Sequence, residues 1–130
     1  MRITSLRLLH RRIDTVLSTV FMSDTIFHKI LAGQVPASVV YEDAEVLAFK
    51  DINPKAKTHL LFIPKMFVES VAHVTEITNH IPGMLILKAQ KFAEEKGIRG
   101  YKLTFHVGKE GGQEVPYLHL HFLSEQSLKE

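Results

Sequence analysis

The 130-residue sequence contains no cysteine, which excludes disulfides and thiolate metal sites. No apolar run approaches the ~20 residues that span a bilayer, and there is no internal repeat or low-complexity segment. A strong excess of one charge is also missing. Sixteen Lys and Arg against 14 Asp and Glu leave +2 with the histidines neutral, which gives no argument for nucleic acid as a partner. What remains is ordinary globular composition, 45% hydrophobic and 23% charged, in a chain long enough for one domain with a core. The lack of cysteine does not fix the compartment. Nothing points to secretion, and the expectation is a cytoplasmic protein.

The first 21 residues stand apart. Arg2, Arg7, Arg11 and Arg12 are interspersed with Leu6, Leu8, Leu9, Ile13, Val16, Leu17 and Val20, and Asp14 is the one acid. Three readings stay open. The segment is an upstream translation start before a natural beginning at Met22-Ser23-Asp24, a basic amphipathic organelle presequence, or an extra helix docked on the domain. Each leaves the functional domain at 22–130.

Within that domain, Ser23 or Asp24 is placed to cap a short helix through Ile26, Phe27, Ile30 and Leu31, with Gly33 as its stop. Ser38–Glu42 and Glu45–Lys50 read as strands around a turn at Asp43-Ala44. Asp51–Lys57 reads as a loop and His59–Ile63 as an apolar strand stopped by Pro64. A short helix is expected over Val68–Val74. A long one is expected over Gly83–Lys96, with Met84, Leu87 and Ala93 among its apolar positions and Gly97 as its end. Tyr101–Val107 alternates as a strand, and Gly108, Gly111 and Gly112 make a flexible turn into a last strand. This order predicts an α+β fold, an antiparallel sheet of about five strands with one long and one or two short helices.

The last strand carries the chemistry. In Tyr117-Leu118-His119-Leu120-His121-Phe122, side chains alternate between two faces. Leu118, Leu120 and Phe122 suit a core. Tyr117, His119 and His121 share the other face, with the two imidazoles about 7 Å apart along the strand. Such a pair suits one phosphate, one metal ion or one proton-transfer couple. His-x-His on a strand is also a reasonable metal spacing, so a zinc site of His119, His121 and either His59 or His106 is a competing reading.

With these residues in view, the chain resembles the histidine triad (HIT) nucleotide-binding family, in particular its Hint-like nucleoside phosphoramidase branch. The resemblance runs over nearly all of residues 23–123. Its carriers are Asp24-Thr25-Ile26-Phe27, Leu47–Pro54, Thr58-His59, Ile63-Pro64-Lys65, Gly111-Gly112-Gln113 and His119-Leu120-His121. It implies a HIT-like fold, a two-fold homodimer joined through the helix at 83–96 and the strand at 101–107, no cofactor and no metal. It implies a purine nucleotide or nucleoside phosphoramidate as ligand, with His119 as nucleophile and His121 and His59 as its catalytic companions. Phe27, Ile30, Phe49 and Ile52 match positions that enclose the base, and Asp51 matches the ribose-binding carboxylate. His106 stands near the phosphate, where relatives often carry asparagine. Gly112 and Gln113 belong to a loop whose backbone N–H groups are expected to approach the phosphate. Taken without the resemblance, Phe27, Phe49 and Ile52 are core residues and Asp51 a turn residue.

The first histidine of the family pattern is replaced by Tyr117. The family uses the backbone carbonyl of that position to orient the nucleophile, and tyrosine keeps the carbonyl. It loses an imidazole expected to face His59. No Leu-Gly-Gly extension with an aromatic tail follows the motif, so no leaving-group preference carries over. Two functions follow: a phosphoramidase or nucleotide hydrolase working through a nucleotidyl-histidine, or a nucleotide-binding module with little turnover because of Tyr117.

Overall fold

The computed structural model of the chain describes residues 24–129. The three readings of residues 1–21, and Ser23 as a helix cap, lie outside the described residues. The cap is Thr25, not Asp24. Its Oγ1 accepts from the Phe27 and His28 N–H groups, and His28 Nδ1 accepts the Thr25 N–H in return at 2.9 Å. This closes a capping box in which histidine stands where Glu or Gln is usual. It starts helix α1, Ile26–Leu31, which buries Phe27.

Five strands follow: β1 Val39–Glu42, β2 Val46–Lys50, β3 Thr58–Pro64, β4 Lys102–Phe105 and β5 Leu120–Ser124. They form one antiparallel sheet in the order β1-β2-β3-β5-β4. Strand β3 is central and all seven of its residues are buried, which explains its unbroken apolar run. Pro64 does not stop β3 short. It pairs with Val46 as the last residue, where a missing N–H is tolerated. Helix α2, Ile81–Lys96, begins two residues before Gly83, because Pro82 fits the first turn, and ends at Gly97 with φ +70°.

The buried stripe of α2 is Ile81, Leu85, Ala89, Phe92 and Ala93, while Leu87 is exposed. It packs on Leu60, Phe62, Leu120 and Phe122 of the sheet and on Leu118 just ahead of β5. The expected helix at 68–74 shrinks to a 3-10 turn, Val71–His73, because Ser70 caps its start and Val74 is already extended. The pairing of β5 begins at Leu120, so Leu118 and His119 precede the ladder, and Tyr117 sits in a bend with its N–H on the Val115 carbonyl. The expected strand 101–107 is paired only over 102–105. Among the described residues, no helix is long and apolar enough to cross a membrane.

Candidate active site

Opposite α2, register sets cross-strand rows. Phe49 stands against Leu61, Leu61 against His121 and His121 against Thr104. In the next row His59 pairs with Leu123, and Leu123 with Lys102. A cavity of about 760 Å³ opens over this surface and is lined by Phe27, Ile30, Phe49, Asp51, Ile52, His59, His106, Gly112, His119 and His121. Phe27 and Phe49 form a buried edge-to-face pair at 5.4 Å, whereas Ile52 is 91% exposed and stands at the rim.

Hydrogen bonding fixes the imidazole protons. His119 Nδ1 lies 2.7 Å from the Tyr117 carbonyl, which only accepts, so Nδ1 carries the proton and Nε2 of the neutral ring keeps its lone pair. His59 Nδ1 accepts the Lys55 backbone N–H at 3.0 Å, so the His59 proton is on Nε2. That Nε2–H donates to His121 Nδ1 at 3.0 Å, with Asp51 Oδ2 3.4 Å away. His121 is thereby protonated on Nε2, an atom closed off from solvent and without a hydrogen-bond partner among the described residues. The site therefore holds adjacent imidazoles of opposite character, a lone pair on His119 Nε2 and a proton on His121 Nε2. Their ring centroids are 4.9 Å apart.

Burial keeps these rings neutral. It is the largest cause lowering the pKa of His119, opposed by the Tyr117 carbonyl. It also pushes His121 down to about 4, helped by repulsion from His119, His106 and His59. His59 is lowered by burial and partly restored by Asp51.

Tyr117 does not face His59. Its ring is fully buried against Phe27, His28 and Phe67, and its hydroxyl donates to the Pro64 carbonyl at 2.6 Å. His28 is a half-buried member of this aromatic cluster. The phosphate cradle expected from the glycine loop is not preformed. The N–H groups of Gly111 and Gln113 bond to the Gly108 carbonyl and that of Gly112 to Lys109, within a 3-10 turn over Lys109–Gly111. The Gln113 side chain braces Gly108, Glu69 and Val115 and does not line the cavity.

The donor atoms close enough for one metal ion are those of Asp51, His59 and His121, not the His119 set suggested by His-x-His. A divalent ion there has to displace the His59 Nε2 proton, because Lys55 already occupies Nδ1. Sequence reasoning missed Thr104, Lys102 and Leu123 as cavity residues, although period-two alternation along 102–105 puts the first two on one face. It also missed the Lys55 N–H and the Pro64 carbonyl. Backbone groups leave no signal in side-chain types.

The HIT domain family model matches residues 32–128. Protein HitA of Neisseria gonorrhoeae is 45% identical over 103 residues, covering 78% of this chain and 96% of the relative. Purine nucleoside phosphoramidase of Escherichia coli K12 is 40% identical over 107 residues, covering 81% and 90%. The crystal structure of a HIT family hydrolase from Legionella pneumophila superposes with a TM-score of 0.74 at 40% identity, covering 82% of this chain and 96% of that one.

Proposed function

The chain belongs to the HIT domain family, and from that premise we propose that it hydrolyses purine nucleoside 5′-phosphoramidates or related phosphoanhydrides through a nucleotidyl-histidine. At the coarser level it is a nucleotide-processing hydrolase of that family. The observation that carries the finer reading is the pairing of a held lone pair on His119 Nε2 with a proton on the neighbouring His121 Nε2.

In this reading the base enters between Phe27 and Phe49, with Ile30 beside it and Ile52 closing the rim. Asp51 accepts from the ribose hydroxyls through lone pairs not used by the Asn53 N–H. His119 Nε2 attacks the α-phosphorus. The Nε2–P bond forms as the bond from phosphorus to the leaving nitrogen breaks. The departing amine takes a proton from the His59–His121 pair. That pair holds an extra proton while the phosphate anion and Asp51 stand beside it. Water then attacks phosphorus, the P–Nε2 bond breaks, and the proton of water restores the pair. The sum is phosphoramidate plus water giving nucleoside monophosphate plus amine. His106, in ring contact with His121 at 4.4 Å, supplies a further donor toward the phosphate. Gly112 and Gln113 contact phosphate only if their turn opens.

The test is steady-state hydrolysis of adenosine 5′-phosphoramidate by the full chain, with mass spectrometry of the quenched enzyme. Turnover with an adduct of one nucleotidyl group, both lost in His119→Ala, supports the enzyme. Binding of adenosine monophosphate without turnover or adduct supports the nucleotide-binding module, which the replacement at Tyr117 motivates. A two-fold homodimer belongs to the same reading. β4 is an edge strand, and Ile86 and Leu87 of α2 are 43% and 49% exposed. A monomeric mass by light scattering at micromolar concentration overturns it.

A further inference from the structure

The row Phe49–Leu61–His121–Thr104 crosses four strands from β2 to β4. Neighbouring strands are about 4.8 Å apart, so its ends are roughly 14 Å apart. Phe49 and Phe27 occupy the β2 end, and the paired imidazoles stand two strands away. A nucleotide with its base on Phe49 and its phosphorus at His119 therefore projects its leaving group over β4. The cavity wall there is polar. Thr104 lies directly across from His121, and Lys102, across from Leu123, is a diagonal neighbour of His121. Diagonal pairs are about 7–8 Å apart at Cα, within reach of a lysine side chain. Among the described residues, neither the Lys102 ammonium nor the Thr104 hydroxyl has a hydrogen-bond or ion-pair partner. Of the acids lining the cavity, Asp51 is bonded to the Asn53 N–H and close to His59 on the nucleoside side, and Glu114 follows the glycine turn and acts electrostatically on His119. Lys55 meets His59 through its backbone N–H, while its ammonium donates to the Asn53 carbonyl and opposes protonation of His59 only through space.

Resting on the reading of the site given above, we infer that the β4 wall is a leaving-group subsite in which Lys102, with Thr104, selects amines bearing a carboxylate or phosphomonoester a few atoms from the scissile bond. The cation acts on the leaving group and is remote from the nucleoside, so it sets selectivity between substrates. Lys102 thus acts as a specificity residue.

The experiment compares, within each variant, kcat/KM for adenosine 5′-phosphoramidates of an amino acid, its isosteric carboxamide and an amine carrying a phosphomonoester. The anionic substrates are expected to exceed the carboxamide by roughly three- to tenfold in the natural chain, the effect of one partly exposed charge contact. The ratio is expected to fall to about one in Lys102→Ala and to reverse in Lys102→Glu, and added salt should shrink it. The two anionic substrates distinguish a carboxylate site from a phosphate site. A ratio near one in the natural chain, or a preference that survives Lys102→Ala, overturns the inference. Calorimetric Kd values for 5′-O-sulfamoyl adenosines with the carboxylate and carboxamide substituents give the same ratio without chemistry. If no phosphoramidate is turned over, the proposed activity fails while these binding ratios still decide the subsite.

Discussion

The two faces of the sheet draw on the same central strand and end in different chemistry. Toward α2, β3 sends Leu60 and Phe62, which meet Leu85, Ala89, Phe92, Leu120 and Phe122 in a cluster of buried apolar residues. Toward α1, the same strand sends His59, Leu61 and Ile63. There a smaller apolar cluster of Phe27, Leu47, Phe49 and Tyr117 gives way to imidazoles. The first face is closed by a sixteen-residue helix and the second is only partly covered by a six-residue one. Full cover maximises burial, and partial cover leaves a cavity whose buried polar groups must satisfy one another. The chain of bonds from Lys55 through His59 to His121 is that solution, and His121 Nε2, without a partner among the described residues, is its remainder.

The division between the two faces meets its hardest test in His119→Ala. It is expected to reduce turnover about 10⁴-fold or more, as for removal of a nucleophile, while stability falls by about 1–3 kcal/mol because the buried Tyr117 carbonyl loses its donor. Loss of stability with intact turnover contradicts this division of labour. The converse is Leu85→Ala on the α2 face, where a fully buried side chain is cut back. Denaturant unfolding should show a loss of about 2–5 kcal/mol, with kcat per folded molecule unchanged.

Tyr117→Phe sharpens the boundary between the faces. It removes the hydroxyl that donates to Pro64 and leaves a buried carbonyl unpaired. About 1–3 kcal/mol of stability should go. Because Tyr117 also offers the carbonyl to His119, kcat should fall more than KM rises, and an unchanged kcat refutes a positioning role. The response to mild acid is graded rather than abrupt. His121 falls from 6.5 to about 4 on folding, so the unfolded chain binds more protons between those values. Stability is therefore full above about pH 6.5 and declines as pH drops toward 4. His119 and His59 act in the same direction. Turnover should fall on the same acid side as His119 gains a proton, and an activity rising toward pH 5 contradicts a neutral nucleophile.

Much of the sheet was legible because strand alternation is local. Leu118, Leu120 and Phe122 on one face and Tyr117, His119 and His121 on the other follow from neighbouring residues alone, and the structure keeps that division. The short helix was legible, but its cap was displaced to Thr25 because His28 supplies the reciprocal bond. Glycine spacing at 108–112 predicts a flexible turn but does not reveal that its N–H groups are used internally.

By itself, then, the sequence determined the strand pattern, the two histidines on one face and the family to which the chain belongs. All three are properties of residue type and spacing. Only the tertiary structure decided which imidazole nitrogen carries each proton, where the Tyr117 hydroxyl is anchored and which side chains stand across from His121. Those depend on register between segments far apart in the chain, such as His59 with His121, and on backbone carbonyls and N–H groups. Every residue offers those groups alike, so only folding determines which of them meet.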